Sequence, residues 1–193
     1  NQARAHWQRG VQVAAGDFRV GVMGLGELGG AIAAFLPSLG YDVHGWSRSP
    51  REIAGITVHA GHAAFDGFLA HCDVLICLLP LTDATRGILN ARTFAALPEG
   101  AAVVNCGRGE HLVPADLIAA LQSGHLRGAV LDVFAHEPLP PDDALWRTPG
   151  VVVTPHMATM PTAATVAEQV VANIHRLRHG ATLANTVDTS RGY

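Results

Sequence analysis

Residues 20–30 read V-G-V-M-G-L-G-E-L-G-G, a short apolar run that breaks into a turn with glycines at Gly24, Gly26 and Gly29. Few chain geometries need that spacing. A tight turn off a strand calls for Gly24, close approach of a ligand to the backbone for Gly26, and intimate packing of the next helix on the strand for Gly29. The flanks agree with this. Arg19 to Met23 reads as a buried strand, and Leu28, Ile32, Phe35, Leu36 and Leu39 recur at helical spacing until Gly40 stops them. Amide groups opening that helix, at Glu27, Leu28 and Gly29, would hold the pyrophosphate of a dinucleotide. The competing reading is a strand-to-helix turn that binds nothing, since a chain with 21 glycines contains many turns.

At 193 residues and 49% hydrophobic content, the chain has material for one domain with a sizeable core and short appendages. Its apolar runs fall short of the roughly 20 residues of a membrane span, and the first residues lack the pattern of a secretory signal. A net charge of −3 with scattered Lys and Arg argues against nucleic acid as a partner. Cys72, Cys77 and Cys106 form no C-x-x-C pair and read as small core residues of a reducing, cytoplasmic compartment. Among eleven histidines, the spacing of His59 and His62 lacks a Cys or carboxylate partner set, so no metal is expected.

The elements alternate. After the first helix, strands are expected at Asp42 to Trp46 and, briefly, at Ile56 to His59, with a helix over Ala63 to His71. Asp73 to Leu79 reads as a strand buried on both faces, ended by Pro80. Thr82 to Leu97 reads as helix in two pieces, Ala101 to Cys106 as a strand, and Pro114 to Gln122 as a helix stopped near Gly124. Gly128 to Val133 and Val151 to Thr154 are further strands around the proline-rich loop Pro138 to Pro149. A last helix spans about Thr162 to His179, and Thr182 to Tyr193 reads as an extended tail. Regular alternation of this kind predicts a doubly wound parallel sheet, the Rossmann architecture.

In such sheets ligands bind beyond the carboxyl ends of the strands. Arg108, Asp132, Glu137 and His156 all follow strand ends there. Taken one at a time, each has a plainer reading as a surface cation, a strand-end or loop carboxylate, or a half-buried imidazole.

Taken together, N-C-G-R-G-E (Asn105 to Glu110), L-D-V-F-A-H-E-P-L-P (Leu131 to Pro140) and T-P-H-M-A (Thr154 to Ala158) resemble three signatures of the D-2-hydroxyacid dehydrogenases. The likeness includes the glycine turn and L-L-P-L-T (Leu78 to Thr82), and runs from about Phe18 to the C-terminus. W-S-R-S (Trp46 to Ser49), P-L-P-P-D-D-A-L-W (Pro138 to Trp146) and the terminal R-G-Y are most similar to the glyoxylate/hydroxypyruvate reductase A group.

The resemblance implies roles that physical chemistry can justify. Arg108 offers a planar fork of donors to the adjacent carboxylate and carbonyl of a 2-oxoacid. His156 would protonate the alkoxide left by hydride transfer, oriented by Glu137. Asp132 matches the position that contacts the nicotinamide carboxamide, while Leu79, Pro80, Cys106 and Gly107 would line the cofactor site. Ser47, Arg48 and Ser49 stand where NAD-specific proteins carry a carboxylate; one cation and two hydroxyls suit a 2′-phosphate, so NADPH is expected over NADH. Arg51 reads equally as a second phosphate contact or as a solvated loop charge.

The resemblance also implies a second, substrate-binding domain built mostly from chain preceding the glycine turn. Residues 1–16 read as a stub of the interdomain helix or linker, 17–160 as the dinucleotide-binding domain, and 161–193 as a helix and tail returning towards the substrate domain. The chain alone is then expected to bind cofactor and turn over poorly. M-A-T-M-P-T after His156 lacks the arginine expected nearby in the reductase group, which leaves the substrate open between glyoxylate or hydroxypyruvate and another D-2-hydroxyacid or sugar-acid ketone. A dinucleotide-sensing protein of the same architecture is the non-enzymatic alternative. A homodimer is implied, with Phe134 and Trp146 either at its surface or in the core.

Overall fold

The computed structural model describes residues 5–10 and 12–187. Seven strands, β1 (Arg19–Met23), β2 (Asp42–Ser47), β3 (Thr57–Ala60), β4 (Val74–Cys77), β5 (Ala101–Asn105), β6 (Leu126–Leu131) and β7 (Val151–Val153), form one sheet. They pair in parallel in the order β3-β2-β1-β4-β5-β6-β7. Among the described residues, four α-helices lie between strands, α1 (Glu27–Phe35), α2 (Phe65–Leu69), α3 (Ala91–Ala96) and α4 (Pro114–Gln122), and α5 (Ala163–Arg178) follows β7. This is the doubly wound sheet that the alternation of elements predicts. Its strand order reverses at β1, which pairs β2 on one side and β4 on the other. Register places Met23 beside both Trp46 and Cys77, so the turns after all three strands open on one edge.

Local chemistry starts and stops the helices as expected. Pro114 opens α4, and Gly124, at φ +80°, lies just past its end. Asn90 and Thr162 cap α3 and α5 by accepting the N–H groups of Thr93 and Thr165, each at 3.2 Å. The expected helix over 82–97 is reduced to α3. Thr85 Oγ1 donates to the Pro80 carbonyl at 2.7 Å and accepts the Thr82 N–H at 2.8 Å, bonds that hold the backbone in turns. Gly87, at φ +63°, then breaks any continuation.

The two faces of the sheet are covered unequally. One packs beneath α2, α3 and α4 around Phe68, Phe94, Leu75, Leu89, Leu117 and Leu131, all essentially inaccessible. The other is covered over β1 and β2, where Val22, Leu25, Ala33 and Val43 are buried beside α1. Only the small residues Gly29 and Ala33 of α1 are buried, while Leu28 and Phe35 of its periodic apolar set are exposed. β4 therefore departs from the expectation of burial on both faces: Leu75 and Cys77 are buried, but Val74 and Ile76 only half-buried. Val104 and Val130 are half-buried in the same way, and Val152 is exposed.

Phe134 belongs to the core, whereas Trp146 is half-exposed and donates its indole N–H to the Pro140 carbonyl at 2.9 Å. Cys72 and Cys77 are buried and Cys106 is half-buried, and burial pushes all three thiols up. The described part of residues 1–16 has no α-helix before a 3-10 turn at Ala15–Asp17. After α5, Asn173 ties down the chain by bonding both the N–H and the carbonyl of Ala184. The terminal R-G-Y lies outside the described residues. Among the described residues, no helix is long and apolar enough to cross a membrane.

At the N-terminal edge of the sheet, Asp73 grips Arg19. Its carboxylate accepts the Arg19 backbone N–H at 2.9 Å and two guanidinium N–H groups at 3.0 and 2.7 Å, joining the starts of β1 and β4. The side-chain bond from Arg19 is the main cause holding the Asp73 pKa below its ordinary 3.8. A depressed folded-state pKa contributes stability that is complete above the unfolded value and lost as pH falls through the folded one. Asp73→Asn should therefore unfold at lower urea than the wild type at pH 7. The gap between the two midpoints should close as pH drops below 3.8.

Candidate functional site

The turns at the C-terminal edge enclose a cleft of about 780 Å³. It is lined by Gly24 to Gly29 after β1, Ser47 to Ser49 after β2, Leu78 to Thr82 after β4, and Cys106 to Arg108 after β5. Most residues expected to bind cofactor meet here: Gly24, Gly26, Glu27, Leu28, Gly29, Ser47, Arg48, Ser49, Leu79, Pro80, Cys106 and Gly107, together with Arg108. Arg51 lines it as well, and its guanidinium donates to the Leu25 carbonyl. Trp46, Gly61, His62 and Thr159 also line the cleft. None of them carries a cofactor role in the sequence: Trp46 enters only through W-S-R-S, His62 only as a discarded metal ligand, and Gly61 and Thr159 stand in loops with no binding signature of their own.

The glycine turn is shaped by close approach. Gly24 sits at φ +93° and donates its N–H to the Trp46 carbonyl at 2.9 Å. A side chain there would come within 2.7–2.9 Å of the Leu78–Leu79 backbone. At Gly29 a Cβ would lie 1.8 Å from the Gly24 carbonyl oxygen, so α1 can rest on the turn only without one. Gly26, the N-cap of α1, is different, with nothing within 4 Å of where its Cβ would stand. This open approach to the amide end of a helix fits a diphosphate.

Further along the edge, Glu137 and His156 form a pair. The His156 Nδ1–H donates to Glu137 Oε2 at 2.7 Å, while Glu137 Oε1 accepts the Phe134 N–H at 2.8 Å. Those two bonds, the His156 bond first, hold the Glu137 carboxyl below the usual carboxylate range. Bonding through Nδ1 turns Nε2 away from Glu137. His156 adopts φ +49°, a left-handed conformation uncommon outside glycine, and donates its N–H to the Asp132 carbonyl at 2.8 Å.

Asp132, 3% exposed, is turned towards that same loop. Its carboxylate accepts from Thr154 Oγ1 at 2.6 Å and from the N–H groups of Met157 and Ala158 at 3.0 and 2.9 Å. Burial pushes its pKa up, but these bonds outweigh burial and hold it below the ordinary value. Asp132, Glu137 and His156 thus stand beside the cleft lining, joined to it by Thr159 at the end of the His156 loop. Gly109 brings the Arg108 loop against them: a Cβ there would fall 1.9 Å from the Phe134 carbonyl carbon, three residues before Glu137.

Residues 1–158 match the family model described as D-isomer specific 2-hydroxyacid dehydrogenase, NAD binding domain. The chain belongs to the D-isomer specific 2-hydroxyacid dehydrogenases. A solved member from Klebsiella pneumoniae 342 is 55% identical with a TM-score of 0.92, the match covering 98% of this chain and 61% of that one. A second dehydrogenase, from Xanthobacter autotrophicus Py2 and solved with NADPH and MES, is 45% identical with a TM-score of 0.94; the match covers 100% of this chain and 79% of that one. An NADPH-dependent glyoxylate/hydroxypyruvate reductase from Sinorhizobium meliloti, solved with NADP and sulfate, is 41% identical with a TM-score of 0.94, over 100% of this chain and 62% of that one. The chain therefore spans about three fifths of the length of the Klebsiella and Sinorhizobium dehydrogenases. Its cleft is that of a nicotinamide-dinucleotide domain.

The contact of Gly29 with Gly24 yields a direct test. Gly29→Ala should push α1 off the turn and cost about 1–3 kcal/mol of stability. Affinity for a nicotinamide dinucleotide, measured by fluorescence titration, should fall about tenfold.

Proposed function

We propose that the protein containing this chain reduces small 2-oxoacids of the glyoxylate or hydroxypyruvate type to D-2-hydroxyacids with NADPH. The Nδ1-anchored His156–Glu137 pair beside the Arg108 loop carries this reading, because an imidazole fixed through one nitrogen presents the other as a directed proton donor. Reductase and NADPH-bound relatives support it.

The residues divide the work as follows. Gly24, Gly26 and the opening amides of α1 receive the pyrophosphate, and Ser47, Arg48 and Ser49 receive the 2′-phosphate. When bound, the reduced nicotinamide supplies the hydride for the carbonyl carbon. Arg108 grips the oxoacid carboxylate and polarises the carbonyl, stabilising the oxygen as negative charge develops. His156 delivers a proton from Nε2 to that oxygen, and Glu137 holds the ring by accepting its Nδ1–H. Asp132 orders the loop that carries His156. Three of the roughly four acceptor positions of its carboxylate are in use, and we assign the remaining one to the nicotinamide carboxamide.

The other half of the substrate site is assigned to a second domain. Residues 1–16 act as linker in this reading, 17–160 as the dinucleotide domain, and 161–193 as the return to the substrate domain. α5 buries none of its residues, and its Val166, Val170, Ile174 and Leu177 stripe is exposed, as a helix awaiting that domain requires. A cytoplasmic homodimer is the assembly we propose.

Full-length protein with His156→Gln should bind NADPH as the wild type does while its kcat on glyoxylate falls about 10²–10⁴-fold. Tight NADPH binding by a wild type that reduces no 2-oxoacid would instead favour a dinucleotide sensor. The cofactor preference has its own test. Arg48→Ala should raise KM for NADPH far more than KM for NADH in steady-state assays, and equal effects on both would refute the 2′-phosphate role.

A further inference from the structure

His111 is fully buried in the 3-10 turn Gly109–His111, and none of the roles above uses it. Both of its ring nitrogens are engaged. Nδ1 accepts the backbone N–H of Arg108 at 3.0 Å, and Nε2 faces the Pro80 carbonyl oxygen at 3.3 Å. Only a neutral imidazole protonated at Nε2 makes both bonds, since a second proton on Nδ1 would confront the Arg108 N–H with another donor. Burial lowers the His111 pKa, which preserves that neutral form against the opposing influences of the Pro80 carbonyl and Glu110.

The other side of Arg108 is held by a second buried side chain. Asn105, also fully inaccessible, donates from Nδ2 to the Arg108 carbonyl at 3.1 Å and accepts the Gly107 N–H at Oδ1 at 3.2 Å. The backbone of Arg108 is therefore gripped at both its N–H and its C=O. Gly107 completes the clamp. A Cβ there would lie 2.8 Å from His111 Nδ1 and 3.1 Å from the Leu79 carbonyl oxygen, so the cleft-lining loops after β4 and β5 close around the ring.

Arg108 itself is exposed, and one guanidinium nitrogen donates to the Gly107 carbonyl at 2.6 Å. A long, exposed side chain can offer two parallel donors to a carboxylate only if its Cα–Cβ direction is fixed. We infer that His111 is a positioning residue that fixes the Arg108 backbone for oxoacid binding and ties it to the Pro80 loop of the cofactor cleft. This rests on the reading of Arg108 as the oxoacid-binding group. An apolar side chain filling the same space would leave the Arg108 N–H without its acceptor.

The test compares three variants of the full-length protein by KM and kcat for glyoxylate and by the fluorescence-measured Kd for NADPH. His111→Phe removes both bonds. The Asn amide oxygen takes the place of Nδ1 and still accepts the Arg108 N–H, whereas the longer Gln amide reaches only towards Pro80. His111→Phe and His111→Gln should raise the KM for glyoxylate about tenfold, and His111→Asn should restore most of that loss, with NADPH Kd changing less than about twofold throughout. An unchanged KM in His111→Phe, or parallel losses of KM and NADPH affinity that Asn does not rescue, would show the ring to be packing alone. Should His111→Phe fail to fold, equal KM values for the Asn and Gln variants overturn the inference. A wild type that reduces no 2-oxoacid overturns the reading of Arg108 and this inference with it; a wild type that reduces glyoxylate while His111→Phe keeps its KM overturns this inference alone.

Discussion

Parallel pairing of β1 with β2 on one side and β4 on the other is the constraint on which the rest of the structure depends. Parallel strands bring their carboxyl ends to one edge, and reversal of the strand order at β1 sends the chain away in opposite directions, leaving a crevice between the turns. Gly24, Ser47 and Leu78 reach that crevice because Met23, Trp46 and Cys77 are held in register. α1 can then cover the turn only by resting on it, which is why Gly29 has no side chain to spare.

The candidate site residues stand on loops, and polar side chains, three of them buried, hold those loops still. Asn105 and His111 clamp the backbone of Arg108, Asp132 binds three donors of the His156 loop, and Glu137 bridges Phe134 and His156. Each buried group is satisfied, and among the described residues no buried side-chain nitrogen or oxygen lacks a hydrogen-bond partner. A satisfied network is rigid, because breaking one bond exposes the full cost of a buried, unpaired group. The left-handed backbone of His156 persists in that setting, surrounded by bonds from its own N–H and from the next two residues.

Much of this was legible in the residues. α4 occupies the predicted span Pro114–Gln122, and the strands fall within a few residues of their apolar runs. The reason is local: β-branched runs and Pro or Gly boundaries act within a few residues of chain. Where the reading failed, a non-local or side-chain bond had overridden periodicity. Thr85 folded residues 82–87 back into turns, and α1 fully buries only Gly29 and Ala33, leaving Ile32 and Leu36 half-buried and Leu28 and Phe35 exposed. Val74 and Ile76 look like core in the sequence, yet are half-buried, because among the described residues no helix covers that face over β4. His111 was invisible among eleven histidines, since its significance lies in Pro80, thirty-one residues away.

By itself, the sequence determined the strand–turn–helix unit, the alternation that demands a parallel sheet, and the residue types available for binding a dinucleotide. Those are properties of short stretches, set by backbone sterics, periodicity and functional-group chemistry. Tertiary structure alone decided which groups meet: that His156 bonds Glu137 through Nδ1, that Asp132 orders the His156 loop, and that one buried imidazole spans the Pro80 and Arg108 loops. Such pairings depend on distances of about 3 Å between residues far apart in the chain, which only the packed sheet brings together.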